Sequence, residues 1–204
     1  MVKIENDFFV CGIYQTKNLR MTIEEILYKL RTGCPWRDVP SAFGQWNSIF
    51  RCFNRWSLHG KLKEIFYALA KDPDHEWIFI DGSIVKAHQH SSGAVRGNET
   101  AIGKSVAGNS TKIHMAVDAM GLPIQFIITG GEVHDSKMAH IPRKKNSKIG
   151  NEKMDWCLYK YRHLVENIFA RLKHFRSIAT RYEKLKRNYE GMLYLACAIV
   201  WLPM

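Results

Sequence analysis

Tyr159-Lys-Tyr-Arg-His-Leu-Val-Glu-Asn-Ile-Phe-Ala-Arg-Leu-Lys173 is the stretch from which the rest of the chain can be read. Its marked positions are Tyr159, Arg162, Glu166 and Lys173. At 3.6 residues per turn the last three fall close to one face of a helix. A carboxylate flanked by two cations on a helix is usually a solvated ion-pair ladder. That reading accounts for the charges but leaves unexplained a strand-like run far upstream, Trp77-Ile-Phe-Ile-Asp81. Phosphodiester chemistry with divalent metals needs carboxylates that converge from separate elements, and one from a strand with one from a helix is such an arrangement.

Charge supports a polyanionic partner. The 204 residues carry a net charge of +11. Between Pro142 and Glu190 there are 14 Lys or Arg against 5 Asp or Glu. A basic block of this kind is the footprint of nucleic acid, because each cation at a phosphate releases condensed counterions. A solvated basic face without such a partner remains the alternative. A hydrophobic fraction of 46% argues against disorder. Cys11, Cys34, Cys52, Cys157 and Cys197 are scattered and form no CxxC pair, so they read as reduced thiols rather than as a zinc ribbon or a disulfide framework. The first residues lack the layout of a signal peptide. The apolar run Met192–Leu202 is too short to span a bilayer, which takes ~20 residues. A soluble, cytoplasmic chain with no membrane partner is expected.

The organisation is read in two parts, 1–72 and 73–204. Thr22-Ile-Glu-Glu25 has the form of a capping box, and Ile26, Leu27 and Leu30 continue a helical stripe to Gly33 and Pro35. Trp46, Ile49, Phe50, Phe53 and Trp56 recur at helical spacing, with Arg51 and Arg55 between them, and Leu62, Ile65, Phe66 and Leu69 mark a third helix. The aromatic stripe reads as core and the two arginines as candidate DNA contacts. The run from Trp77 is expected to be a buried strand that delivers Asp81 at its C-terminal end. Residues 91–110 read as a Gly- and Ser-rich mobile loop. Lys112–Val117 and Leu122–Thr129 form a hairpin around Ala119-Met-Gly121, and 155–189 is helical and basic.

Each candidate has a plainer reading beside it. Asp81 before Gly82 fits a turn or cap aspartate as well as a metal ligand, since a buried charge must be paired or bind metal. Gly97 to Ser105 ends in Gly-Lys-Ser, but its glycines have five residues between them rather than four and no strand precedes them, so it is not a phosphate loop. His88, His90, His114, His134 and His140 lack a framing set of ligands for zinc. They read as polar loop residues or DNA contacts.

These motifs resemble the DDE transposases of bacterial insertion sequences, in the group named after insertion sequence five. Arg31-Thr-Gly-Cys-Pro-Trp-Arg-Asp-Val-Pro40, Trp46 and Phe53-Asn-Arg-Trp56 resemble the family's N-terminal module. Phe79-Ile-Asp-Gly-Ser83 resembles the strand bearing the first catalytic Asp, and Lys112-Ile-His114, Asp118 and Gly131-Glu-Val-His-Asp135 the strands after it. Tyr159, Arg162, Glu166 and Lys173 match the signature around the catalytic Glu. The resemblance implies an α+β chain, with a helical DNA-binding module over 1–72 and a ribonuclease-H-like domain over 73–204. It implies two magnesium ions held by Asp81 and Glu166, with Arg162 and Lys173 near the DNA backbone; Arg51, Arg55 and Lys112 are further candidate DNA contacts, and Tyr159 and His114 accompany the motifs. It also implies partners: double-stranded element ends and target, a homodimer, or association with an intact transposase.

One motif is missing. Family members carry a second Asp on a further strand, whereas here Lys137-Met-Ala-His140 runs directly into Ile141-Pro-Arg-Lys-Lys145. This implies an internal deletion between residues 140 and 141. Asp118 and Asp135 are poor substitutes by position. Two expectations follow: an incomplete metal site with lost activity, and a first strand left at the edge of its sheet. A DNA-binding remnant without catalysis is the second reading.

Overall fold

The computed structural model describes residues 18–91, 100–105, 108–133 and 160–202. The chain opens with helices at Leu19–Thr32 (α1), Trp46–Leu58 (α2) and Lys61–Leu69 (α3), with short 3-10 turns between α1 and α2. The stripes read from sequence are the buried ones: Ile26 and Leu30 on α1, Ile49, Phe53 and Trp56 on α2, and Leu62, Ile65 and Phe66 on α3. Gly33 ends α1 at φ +69°, its N–H donating to the Lys29 carbonyl. That left-handed conformation costs a glycine nothing.

Strands follow: Phe79–Ala87 (β1), Gly103–Ser105 (β2), Gly108–Val117 (β3) and Pro123–Gly130 (β4). The final segment holds His163–Lys173 (α4), Arg176–Ala179 (α5), the two-residue strand Thr180–Arg181 (β5) and Lys186–Trp201 (α6). The sheet runs β2-β3-β1-β5, with β4 also on β3. β1 and β3 are antiparallel from Phe79↔Val117 to Lys86↔Ser110, and β3 and β4 form the expected hairpin. Asp118 closes it, accepting the N–H groups of Met120 and Leu122 on Oδ1 and that of Asp74 on Oδ2. This mixed arrangement is α+β.

One apolar core joins the N-terminal helices to the sheet through α6. Met192–Val200, the apolar tail of the sequence, is buried within that helix apart from the half-buried Tyr194 and Ile199. The Trp201 indole donates to the Pro123 carbonyl on β4. Gly191 lets α6 approach α2 and α3 closely, since a Cβ there would lie 2.6 Å from Ser57 Oγ and 2.9 Å from Leu62 Cδ1. No helix among the described residues is long and apolar enough to cross a membrane.

Four local expectations need correction. Thr22 is not an N-cap: α1 starts at Leu19, whose side chain is buried, and the Thr22 hydroxyl bonds back to the Asn18 carbonyl at 3.0 Å. Asp81 is the third residue of β1 rather than its end, and the run before it is not buried, since Trp77, Ile78 and Ile80 are exposed. A continuous apolar run carries no alternation from which to place a strand's start. The 91–110 segment contains β2 and the beginning of β3, though residues 92–99 lie outside the described ones. The C-terminal helical segment is broken at Thr180–Arg181, where Arg181 is drawn into the interior.

Candidate functional site

Period two along β1 puts Asp81, Ser83 and Val85 on one face. Their partners across β3, Met115, Ile113 and Thr111, are all buried. Helix α4 packs against this face through Val165, Ile168, Phe169 and Leu172. At ~100° per residue, Arg162, Glu166 and Lys173 fall within about 40° of one another beside that buried stripe.

The helix signature and the strand meet directly. Arg162 Nη2 donates to Asp81 Oδ1 at 2.5 Å, and Lys173 Nζ donates to Ser83 Oγ at 2.7 Å. Arg162 and Lys173 are rooted ~16 Å apart along the helix axis, whereas Asp81 and Ser83 are only ~7 Å apart along the strand. The two cationic side chains therefore converge. Glu166 is rooted between them in the first turn of α4, an exposed carboxylate at the positive end of the helix dipole.

Four charges thus gather where β1 meets α4: Asp81 and Glu166 against Arg162 and Lys173. Their sum is zero. Ser83, which the sequence reading passed over, is the fifth member. Its signal was available, since a residue two positions beyond Asp81 on a strand shares its face.

The other candidates lie apart. Arg51 and Arg55 are exposed on α2. Lys112 is buried on β3, its ammonium donating to the Val133 carbonyl at 3.2 Å. His114 is also buried and bonds through Nε2 to Thr129 Oγ1 at 2.9 Å. Asp118 is committed to the hairpin turn. Tyr159, Asp135, His134 and His140 lie outside the described residues. His88 stacks between His90 and Tyr182 at centroid distances of 4.9 and 4.7 Å.

The test for metal is the donor set. Two divalent ions held together need several carboxylates converging from separate elements. Among the described residues no three His, Cys, Asp or Glu side chains gather closely enough to hold an ion. Asp81, moreover, already has a guanidinium as counterion. The described residues do not fit a two-metal site.

β1 has an open side. β3 covers one edge from Phe79 to Lys86. On the other edge, among the described residues, only β5 pairs with it, in parallel, at Lys86↔Thr180 and Ala87↔Arg181. Ile80 and Ile84 are exposed on the face opposite Asp81.

Comparison with known proteins agrees with the arrangement of motifs. Residues 4–66 match a family model described as "Putative transposase of IS4/5 family", and residues 72–141 and 132–203 match two models each described as "Transposase DDE domain". The chain is 40% identical over 79 residues to "Uncharacterized protein y4sN" of Sinorhizobium fredii, covering 39% of this chain and 63% of that one. It is 30% identical over 128 residues to "Putative transposase for insertion sequence element IS6501" of Brucella ovis, covering 46% of this chain and 98% of that one. No solved structure matches.

Proposed function

The chain belongs to the DDE transposases of insertion sequences, and on that premise we propose that it is a transposase derivative that binds element-end DNA but has lost strand cleavage and transfer. DDE transposase domains generally use divalent metal ions. In this reading the family's ribonuclease-H-like domain occupies 73–204, the helical module over 1–72 engages DNA, and the location is cytoplasmic. Magnesium, when bound in an intact relative, activates water and stabilises charge on the phosphodiester.

The observation that carries the reading is the coupling of β1 to α4. Arg162 on Asp81 and Lys173 on Ser83 fix the signature helix to the strand, which supports reading this junction as the inherited site. The charge count supports the loss of activity: two carboxylates and two cations leave nothing to attract a divalent ion. A third carboxylate would tip the sum negative, and the open edge of β1 is where a strand carrying one would pair. The Brucella relative supports a missing segment as well. Its 128 aligned residues correspond to only 46% of this chain, well short of 128 residues, so it has positions for which this chain has no counterpart.

The remaining residues have binding roles. Arg162 and Lys173, half-freed by DNA phosphates that compete for them, would hold the backbone beside β1. Arg51 and Arg55 present further charge on α2, available to a groove or backbone. A homodimer, or a mixed assembly with an intact transposase at the same DNA ends, belongs to the same proposal.

A gel-shift on element-end DNA, with and without magnesium and scored for both retention and nicking, tests this. Salt-dependent retention without nicking is the expected result. Magnesium-dependent nicking that disappears in Asp81→Ala would overturn the loss of activity. Absence of retention at low salt would overturn DNA binding.

A further inference from the structure

A row of stacked rings stands at the far end of β1, on the side of the sheet opposite Asp81. The His88 N–H donates to the Arg181 carbonyl at 2.9 Å and so continues the β1–β5 ladder. Period two then puts Ile84, Lys86 and His88 on the face opposite Asp81, Ser83 and Val85. His88 lies ~23 Å along the strand from Asp81. Its ring is stacked between Tyr182 at 4.7 Å and His90 at 4.9 Å, with planes only 30° and 31° apart.

Both segments that carry the rings are held in place by the fold. Ser91 Oγ donates to the His88 carbonyl at 2.6 Å, closing the turn that brings His90 against His88, and the His90 N–H donates to His88 Nδ1 at 3.3 Å. Across the ladder, the buried Arg181 guanidinium donates to the carbonyls of Glu183 and Lys184, which fixes the turn that presents Tyr182. The outer rings are nevertheless not packed away: Tyr182 is 42% exposed and His90 is exposed. A rigid aromatic surface left in water is pre-organised for a flat partner, because little freedom is lost when one binds.

The charges around the rings identify that partner. Lys86 is exposed two residues before His88 on the same face, and Lys184 is exposed two residues after Tyr182. The acid among them, Glu183, is half-buried and engaged by Lys29 at 3.4 Å. Aromatic faces flanked by cations take the bases and phosphates of a single nucleic-acid strand. A duplex does not fit the rings, because its bases stack on one another and show a free face only at an end.

We propose that Tyr182, His88 and His90 form a stacking platform for an unpaired DNA base, which extends the row on the outer face of Tyr182 while Lys86 and Lys184 take the neighbouring phosphates. The choice of DNA rests on the reading of the chain as one that binds element ends. The platform itself stands on the opposite face of the sheet from the junction of β1 with α4 and needs no metal.

The test uses the full chain, a fluorescent oligo-dT strand and a blunt duplex. Affinities are read by anisotropy across a range of salt, for wild type, Tyr182→Ala, Tyr182→Phe and Lys86→Gln. Tyr182→Ala should weaken oligo-dT binding by about 5- to 150-fold, the worth of one stacked base, with the salt slope unchanged. Tyr182→Phe keeps the ring and should bind as wild type does. Lys86→Gln should make the log–log salt slope of oligo-dT binding shallower by about 0.7. Duplex binding should be the same in wild type and Tyr182→Ala.

Wild-type affinity for oligo-dT in Tyr182→Ala would overturn the proposal, as would a Tyr182→Phe protein as weak as Tyr182→Ala or an equal loss on the duplex. Lys86 is exposed, so its slope keeps the test decisive should Tyr182→Ala fail to fold, and an unchanged slope there counts against the platform. Duplex binding without oligo-dT binding would refute the platform and leave the element-end reading intact. Ring-dependent oligo-dT binding in a chain that ignores the duplex would do the reverse.

Discussion

Glu25 offers the sharpest test of the packing. It lies on the buried face of α1 at 1% exposure, and its Oε2 has no hydrogen-bond partner. Burial raises its pKa from 4.5 to about 6. Because the folded value is the higher one, the native state holds this proton more tightly than the unfolded chain does. Below pH 4.5 the group is neutral in both states and costs nothing. Between 4.5 and 6 the penalty grows, and above 6 it is complete. The shift corresponds to roughly 2 kcal/mol. Glu25→Gln keeps the shape and removes the charge, so at pH 7 it should be more stable than wild type by up to ~2 kcal/mol. For a chain of this size that is about 4–8 °C in Tm. Thermal melts of both proteins from pH 4 to pH 8 provide the assay. The two curves should converge at the acid end and separate through pH 6. Parallel curves across the whole range, or a Glu25→Gln protein less stable at pH 7, would refute the reasoning.

Other positions give clear expectations. Arg181 is fully buried, bonds to Thr111 Oγ1 and to the carbonyls of Ala101, Glu183 and Lys184, and stacks on Tyr189. Arg181→Met strands buried acceptors and should cost roughly 1–3 kcal/mol in urea unfolding; a loss under ~0.5 kcal/mol would mean the arginine is a passenger. At Gly33, φ is +69° and a Cβ would stand 2.9 Å from Arg176 Cβ. Gly33→Ala should therefore destabilise by more than ~1 kcal/mol, and a neutral result would show that α1 and α5 pack less closely than described. The pair Ile80→Thr with Ile84→Thr removes apolar surface from the open side of β1 at little cost in stability. It should lower the sedimented fraction on concentration, and unchanged aggregation would move the liability elsewhere.

Much of the site was legible because helical and strand periods are fixed. Arg162, Glu166 and Lys173 could be assigned to one face, and the apolar run up to Asp81 could be read as a strand. The helices of the N-terminal segment followed from their apolar stripes for the same reason. What could not be read were tertiary effects. Lys112 alternates correctly to lie off the core face of β3, yet the Val133 carbonyl and its loop cover it. The break at Thr180–Arg181 follows no turn signal in the sequence; the buried guanidinium there is satisfied partly by distant acceptors on Ala101 and Thr111. Gly191 brings α6 close to α2 and α3, a fit that no local pattern encodes.

Charge balance at β1 joins these points into one argument. A strand that presents Asp81 inward must neutralise it, and here Arg162 does so. The same contact that neutralises Asp81 without a metal thus weakens the field that would draw a metal in. Arg162→Gln separates the two effects: it retains a hydrogen-bond donor near Asp81 and turns the group of charges net negative. Magnesium or manganese should then raise the Tm of the variant and not that of wild type, by ~2.7 kcal/mol of stabilisation at a hundred times the dissociation constant. If wild type responds to the ion as strongly as the variant, Arg162 is not standing in for a cation. If neither responds, charge alone did not keep the ion out, and too few ligands, rather than a competing arginine, is the reason.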